Sequence, residues 1–209
     1  MIIFTKKADN KLFGIGIGAQ YQFSCGAFLD SSLRVGHADS EFKVAYQRTG
    51  KEAKYDSDTV YFGFSLGGGY NFDITEELTL TPYARYMFTC NGSDTAKVKL
   101  EGLTDNSLHL DAVKAHTARA GLDGLYKFTD TFALKAGLAV EYTWDGDAKS
   151  QLGGVSLATP SISGTSGLMD LGIRFTPSGA PGWNFEIGAT GRVGDVHGVT
   201  GQVKALYVF

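Results

Sequence analysis

The most constraining feature of the sequence is an alternation of apolar and small or polar residues that persists for more than ten residues at a time. From Val60 to Phe72 the even positions are almost all aromatic or aliphatic, whereas the odd positions are mostly Gly, Ser and Asn. The same period of two recurs from Phe132 to Trp144 and from Trp183 to Val193. It indicates β-strands with one apolar face. These strands match the roughly 9–11 tilted residues that cross a bilayer and exceed usual globular strands.

The composition agrees with an all-β chain and excludes two other classes. The 209 residues include 28 Gly, 10 Tyr and 14 Phe, and Gly disfavours helices whereas aromatic residues suit sheets. Nineteen basic against 22 acidic side chains give a net charge of -3, without the basic excess of a nucleic-acid binder, so no nucleic-acid partner is expected. A hydrophobic share of 43% excludes an intrinsically disordered chain.

The alternation predicts nine strands along the chain. We place them at 12–23, 27–38, 59–72, 77–90, 112–128, 131–145, 166–176, 182–193 and 198–209. Short turns alternate with long polar connections at 39–58, 91–111 and 146–165, as between the periplasmic and extracellular ends of outer-membrane barrels. We therefore predict an antiparallel, up-and-down transmembrane β-barrel over residues 12–209. Residues 1–11 are expected to be an extracellular-side segment or the remnant of an earlier strand.

An internal repeat marks one end of these strands. Strands that run into a short turn, and the last strand, end in Tyr or Ile followed two residues later by Phe. Amphipathic rings at a membrane interface give a physical reason for repeating them at one depth. The repeat predicts an aromatic girdle of Tyr21, Phe23, Tyr70, Phe72, Tyr126, Phe128, Phe175, Tyr207 and Phe209.

The opposite face of the strands is charged and is predicted to line the lumen of the barrel. Its residues are Arg34, Arg85, Arg119, Asp123, Lys135, Glu141, Asp170, Arg174, Glu186, Arg192 and Lys204. Periodicity alone also permits a soluble β-sandwich binding module, in which the apolar face forms the core and the charges are solvated. Strand length, the asymmetry of the connections and the girdle favour a polar lumen with the apolar face toward lipid.

No residue pattern indicates an enzyme, a metal site or a cofactor. The four histidines, His37, His109, His116 and His197, have no metal-ligand spacing and are expected to be solvated near loops. The Asp195 and His197 pair would also suit an outer-membrane protease, but no second acidic pair accompanies it. The two cysteines, Cys25 and Cys90, lie on nonadjacent strands and are not expected to form a disulfide.

Several stretches resemble the autotransporter β-domain, the barrel of type V secretion. In the stretch from Gly69 to Tyr86, a Gly-Tyr-x-Phe strand end and turn lead into a Leu-x-Pro-Tyr strand, as in that family. Residues 119–126, 171–175 and 205–209 are similar to the family's last strands. The likeness spans essentially the whole chain. It implies a barrel of about 12 strands, preceded by a secreted passenger and a linker helix in the lumen.

This resemblance implies a translocator in the bacterial outer membrane that anchors and exports an N-terminal passenger. With nine strands of twelve, the chain is expected to be an N-terminally truncated translocator domain. The implied partners are outer-membrane lipid, the passenger and the barrel-assembly machinery, with Phe209 as part of the assembly signal. The alternative is a small structural or adhesive outer-membrane barrel whose surface loops bind ligands.

Overall fold

The computed structural model describes residues 4–46, 52–98, 107–152, 155–157, 161–179 and 182–207, and most of them lie in strands. In chain order the strands are β1 (Phe4–Gln22), β2 (Ala27–Tyr46), β3 (Glu52–Tyr70), β4 (Phe72–Asp73), β5 (Leu78–Asn91), β6 (Asp94–Lys97), β7 (Ser107–Leu110), β8 (Val113–Lys127), β9 (Phe132–Asp145), β10 (Ser150–Leu152), β11 (Val155–Leu157), β12 (Gly164–Phe175), β13 (Trp183–Gly194) and β14 (Gly198–Tyr207). Within the described segments, no helix is both long and apolar enough to span a membrane.

Within the described residues, nine long strands form one antiparallel sheet, which confirms the predicted fold class. Their order is β1-β2-β3-β5-β8-β9-β12-β13-β14, and the short strand β4 pairs with β5 beside this path. Each long strand therefore pairs with its neighbour along the chain, as in an up-and-down barrel. Strands β1 and β14 occupy the two edges of the sheet.

The structure differs from the sequence prediction at the ends with long connections. Strand β1 includes residues 4–11, which pair with residues 39–46 of β2, and β3 begins at Glu52. The other two long connections form a second sheet, in the order β11-β10-β7-β6. These residues alternate little in hydropathy because neither of their faces belongs to the long apolar face. Backbone pairing continues there without the pattern by which strands are recognised in a sequence.

Two of the short turns are built in the same way around a threonine. The Thr75 hydroxyl accepts hydrogen bonds from the backbone N–H groups of Glu77 and Leu78 at 3.2 and 3.0 Å. In the turn between β8 and β9, the Thr129 hydroxyl accepts them from Thr131 and Phe132 at 3.3 and 3.0 Å. A threonine at the first turn position satisfies backbone donors locally, so each pair of strands is joined by a tight reversal.

The two faces of the main sheet differ sharply in exposure. In β9 the even positions are all exposed, including Leu138 at 64% and Val140 at 60%, whereas the odd positions are buried or intermediate up to Thr143. No large side chain among the described residues is fully buried, and the few buried apolar residues are mostly alanines. A soluble β-sandwich needs an apolar core between two sheets. The large apolar side chains instead cover the outside, which excludes the soluble alternative for the described structure.

The sheet curls around its charged face. The Asp30 carboxylate in β2 meets Arg85 in β5 across β3, and Glu141 in β9 meets Arg192 in β13 across β12. Side chains on alternate strands start about 9.6 Å apart in a flat sheet. They approach to ion-pair distance because the sheet is concave on this side. We call this concave surface the inner face and the apolar convex surface the outer face.

Glycines on the inner face make room for aromatic rings from neighbouring strands. A Cβ atom at Gly121 would lie 2.8 Å from both Cζ of Tyr83 and the backbone oxygen of Leu138. At Gly69 it would lie 2.7 Å from Cζ of Phe28. The rings of Tyr83 and Phe28 therefore lie directly against these glycines, where a side chain would collide with them.

We expect Gly121→Ala to destabilise the folded domain by about 1–3 kcal/mol, because the added methyl group overpacks a contact that includes backbone. The matched control is Gly191→Ala on the outer face, where the nearest atom to an added Cβ is 3.9 Å away. Urea unfolding of the full-length natural polypeptide in detergent micelles measures both free energies. Equal free energies of unfolding for the two variants would contradict this packing.

Candidate functional site

The inner face carries the charged residues that the sequence analysis assigned to a lumen. Register places Arg85, Arg119 and Glu141 directly opposite one another on β5, β8 and β9, and Glu186 opposite both Arg174 and Lys204. Most of the predicted residues meet in two ionic clusters, one around Glu141 and one around Glu186. Arg34 stands apart from both clusters.

The Glu141 cluster joins three strands. One oxygen of Glu141 accepts hydrogen bonds from Nε and an Nη of Arg119 at 3.0 and 2.6 Å, and the other lies 3.2 Å from an Nη of Arg192. Glu141 is only 6% exposed. Two guanidinium groups therefore neutralise one nearly buried carboxylate, an arrangement in which charge-assisted hydrogen bonds offset desolvation.

The Glu186 cluster has three cations around one carboxylate. The carboxylate of Glu186, which is 4% exposed, lies 3.6 Å from Lys135, 3.3 Å from Arg174 and 3.5 Å from Lys204. These residues come from β9, β12, β13 and β14. One side chain thus links four strands near the β14 edge of the sheet.

The remaining predicted carboxylates on the inner face also have partners. Asp123 lies 4.0 Å from Lys135, and Asp170 accepts a hydrogen bond from the Thr190 hydroxyl. Sequence analysis missed Asp30, whose carboxylate accepts two hydrogen bonds from Arg85 at 2.6 and 3.0 Å. This pair passes over Gly67, which lies between the two residues in the register.

We expect Glu186→Gln to destabilise the domain by about 1–3 kcal/mol, because Lys135, Arg174 and Lys204 would then repel one another around an uncharged amide. The loss is expected to shrink at high salt, since the cations are partly solvated. Asp30→Asn, which removes the partner of a single arginine, is the control and should cost less. Urea titrations of the full-length natural polypeptide in detergent at 0.05 and 1 M salt measure the effect. A loss that does not respond to salt would contradict an electrostatic origin.

An aromatic belt runs along the outer face at the end with short turns. Rings contact within Tyr21 and Phe23, Tyr70 and Phe72, and Tyr126 and Phe128, with centroids 4.9, 4.4 and 5.0 Å apart. Phe175 and Tyr207 take part through additional rings that sequence analysis missed, namely Phe132, Trp183 and Phe185. Phe209, the last residue assigned to this girdle, lies outside the described residues.

A second aromatic belt lies toward the other end of the outer face. The Tyr86 hydroxyl contacts Nδ1 of His116 at 2.6 Å, and the His116 ring stacks on Trp144 with centroids 5.9 Å apart. Phe88 and Tyr142 extend the group. With 14 residues, β9 rises about 35 Å at about 3.3 Å per residue and a tilt of about 40°. The two belts therefore bracket a band of about the thickness of a bilayer core, about 30 Å.

The histidines do not form a catalytic arrangement within the described residues. Nε2 of His37 pairs with Asp58 and lies 3.4 Å from Asp39, and the ligand atoms of these three groups lie within 4.8 Å of one another. Sequence spacing did not reveal this group because Asp39 and Asp58 meet only through the pairing of β2 with β3. Asp195 accepts a hydrogen bond from the Thr165 N–H at 2.7 Å, so it fixes the turn before β14.

The second sheet is attached to the main sheet through Asp94. Its carboxylate accepts hydrogen bonds from the backbone N–H groups of Asp58 at 2.9 Å and Thr95 at 2.7 Å. Partial burial acts to raise the pKa of Asp94, but these hydrogen bonds and one with Ser57 outweigh it and lower the pKa. Asp94 is therefore held as a charged acceptor that ties β6 to β3.

Comparison with solved structures finds the same fold in translocator domains. The β-domain of the Bordetella autotransporter BrkA matches with a TM-score of 0.67 and 19% identity, covering 97% of this chain and 75% of that one. The translocator domain of NalP from Neisseria meningitidis gives 0.76 and 16%, covering 98% and 69%. The transport unit of AIDA-I from Escherichia coli gives 0.53 and 11%, covering 98% and 84%. No curated protein sequence matches this chain significantly.

Residues 4–190 match the family model described as the autotransporter β-domain. The match covers β1 to β12 and most of β13, so it includes both ionic clusters except Arg192 and Lys204. Together with the outer apolar face and its aromatic belts, it assigns the chain to the bacterial outer membrane as a translocator-type β-barrel domain. The chain belongs to the autotransporter β-domain family.

Proposed function

We propose that this domain anchors an N-terminal passenger in the outer membrane and that the passenger is exported through its interior. The observation that carries the proposal is the division of one sheet into an outer apolar face and a charged inner face. In a closed barrel every backbone polar group is satisfied within the wall, and the inner face borders a hydrated path. Paired charges keep that path polar, so it has no apolar surface to which an extended chain would adhere.

In this proposal the residues of the inner face line the lumen, and the domain itself is not an enzyme. Its work is physical: it provides a wall, a path and an anchor. Lipid contacts the outer face, and the aromatic belts set the depth of the barrel in the bilayer. No cofactor and no metal enter the mechanism.

Export is tested by placing a protease-sensitive reporter before this domain in the full-length natural polypeptide that contains it. On intact cells, an added protease should remove the reporter. A variant that lacks β14 should leave it protected inside the cell, with barrel content measured in the same membranes. A reporter that stays protected although the intact barrel is inserted would overturn the export proposal.

A second candidate function is an adhesive barrel whose surface loops bind ligands. The four-stranded sheet of β6, β7, β10 and β11 favours it, because it gives two long connections a fixed shape. The reporter experiment separates the two candidates. An adhesive barrel without an exported passenger would insert normally, bind its ligand through the second sheet and leave the reporter protected.

We further propose that Phe209 contributes to recognition by the barrel-assembly machinery, as the family resemblance implies. If Phe209 acts through recognition, its deletion should reduce the heat-modifiable, inserted form in cells but change refolding in detergent little. A defect of equal size in both assays would mean that Phe209 acts through packing instead.

A further inference from the structure

The inner face has more hydrogen-bond donors and cations than it has carboxylates to receive them. Its carboxylates already have partners: Asp30 pairs with Arg85, Asp123 with Lys135, Glu141 with two arginines and Glu186 with three cations, and threonine hydroxyls donate to Asp73 and Asp170. The chain as a whole has a net charge of -3, so the sign of the inner face is opposite to that of the molecule. The acidic excess lies elsewhere.

Several donors on this face lack an acceptor. Among the described residues, Arg34 and Lys127 make no ion pair with a carboxylate. Nε of Arg85 and Nε of Arg174 also have no hydrogen-bond partner, but both atoms are buried and are not accessible to a ligand. Through Arg34 and Lys127, the inner face therefore has unused capacity to bind anionic oxygen atoms.

Three of these side chains border a common space. A cavity of about 450 Å³ at the short-turn end of the inner face is lined by Arg85, Lys127, Lys135 and Arg174, together with Asp73 and Asp123. Arg34 lies farther along the same face. Its cross-strand neighbours are Gly16 and Gly63, which have no side chains to cover it, and Arg34 is exposed. Low-dielectric walls around such a groove would focus its positive potential.

We infer that the inner face binds carboxylate-bearing segments of the polypeptide that crosses it, in preference to basic segments. This inference rests on the proposed export function, and it names the chemistry of the segment. Asp and Glu side chains supply acceptors for the exposed cationic groups of Arg34 and Lys127. A basic segment would meet cations and find the carboxylates already paired.

Binding is tested with fluorescent hexaglutamate and hexalysine peptides on the full-length natural polypeptide in detergent. Hexaglutamate should bind, and hexalysine should bind at least tenfold more weakly. Arg34→Gln should weaken hexaglutamate binding about twofold to fivefold, and Arg34→Glu should weaken it further. Lys114→Gln, which removes an exposed cation from the outer-face register of β8, should leave binding unchanged. Free glutamate at equal carboxylate concentration should compete poorly if the site recognises a polypeptide segment.

Equal binding of the two peptides, or no response to either Arg34 variant, would overturn the inference. Arg34 is exposed and its variants are expected to fold, and Lys127→Gln provides a second test at the cavity. In parallel, removal of the exported reporter by protease is measured on intact cells that express the same variants. Export without peptide preference would leave the proposed function standing and refute only this inference, whereas peptide preference without export would refute only the function.

Discussion

Refolded alone in detergent, the 209-residue chain is expected to aggregate and to give no heat-modifiable, protease-resistant monomer. The edge strands β1 and β14 both run from the end with long connections toward the end with short turns, so direct closure would pair them in parallel. Single-chain bacterial barrels have even strand numbers and no such seam. An open seam would expose unpaired backbone groups to lipid or detergent at several kcal/mol each.

The measurement is electrophoretic mobility with and without heating, combined with protease digestion. The control is the full-length natural polypeptide that contains this chain, which should refold to a heat-modifiable form if it supplies an odd number of further strands. A stable monomer from the 209 residues alone would show that the edges close by another route and that the assigned strand directions fail.

Leu138→Arg is expected to destabilise the folded domain by about 2–4 kcal/mol in lipid vesicles. Leu138 is 64% exposed on the outer face of β9 and lies in the register beside Leu122 and Met169, within the apolar band. An arginine there would place its charge among acyl chains near the midplane. In a soluble protein the same substitution at an exposed site would change stability by less than about 0.5 kcal/mol.

The inner-face comparison for Leu138→Arg is Gln202→Arg, which adds the same charge beside a hydrated interior and should be milder. Ala139, an inner-face neighbour of Leu138, is an unsuitable control: it is only 8% exposed and abuts Gly121, so an arginine would add steric strain. Guanidinium titrations of both variants of the full-length natural polypeptide in vesicles provide the free energies. Equal losses, or a larger loss for Gln202→Arg, would contradict the assignment of the two faces.

The long strands could be predicted from the sequence because one face of each strand meets a single environment. In β9 the alternation from Phe132 to Trp144 reports the contrast between the outer and inner faces residue by residue. Beyond the apolar band this contrast disappears, so the sequence predicts loops where the structure has β6, β7, β10 and β11. Their strand character depends on pairing between distant segments, which local periodicity does not encode.

The sequence predicts which charged residues share the inner face, but not which of them contact one another. Lys135 and Glu186 lie on strands that are separated by β12, and they meet because the sheet curls. Neither the curl nor the register can be predicted from the spacing of these residues in the chain. The role of Asp30 could not be predicted because its partner Arg85 lies across β3, above a glycine. The second aromatic belt was missed for a similar reason: Tyr86, His116 and Trp144 meet only through strand register.

The most direct test of the account is the collision accessibility of spin labels in the full-length natural polypeptide, reconstituted in lipid vesicles. Labels replace Leu138, Met169 and Val203 on the outer face and Lys135, Thr200 and Gln202 on the inner face, one at a time. The outer labels should collide mainly with oxygen dissolved in lipid, and the inner labels mainly with a water-soluble nickel chelate. Equal access of the nickel chelate to all six positions, or the reverse pattern, would contradict a membrane barrel with a hydrated, charged interior.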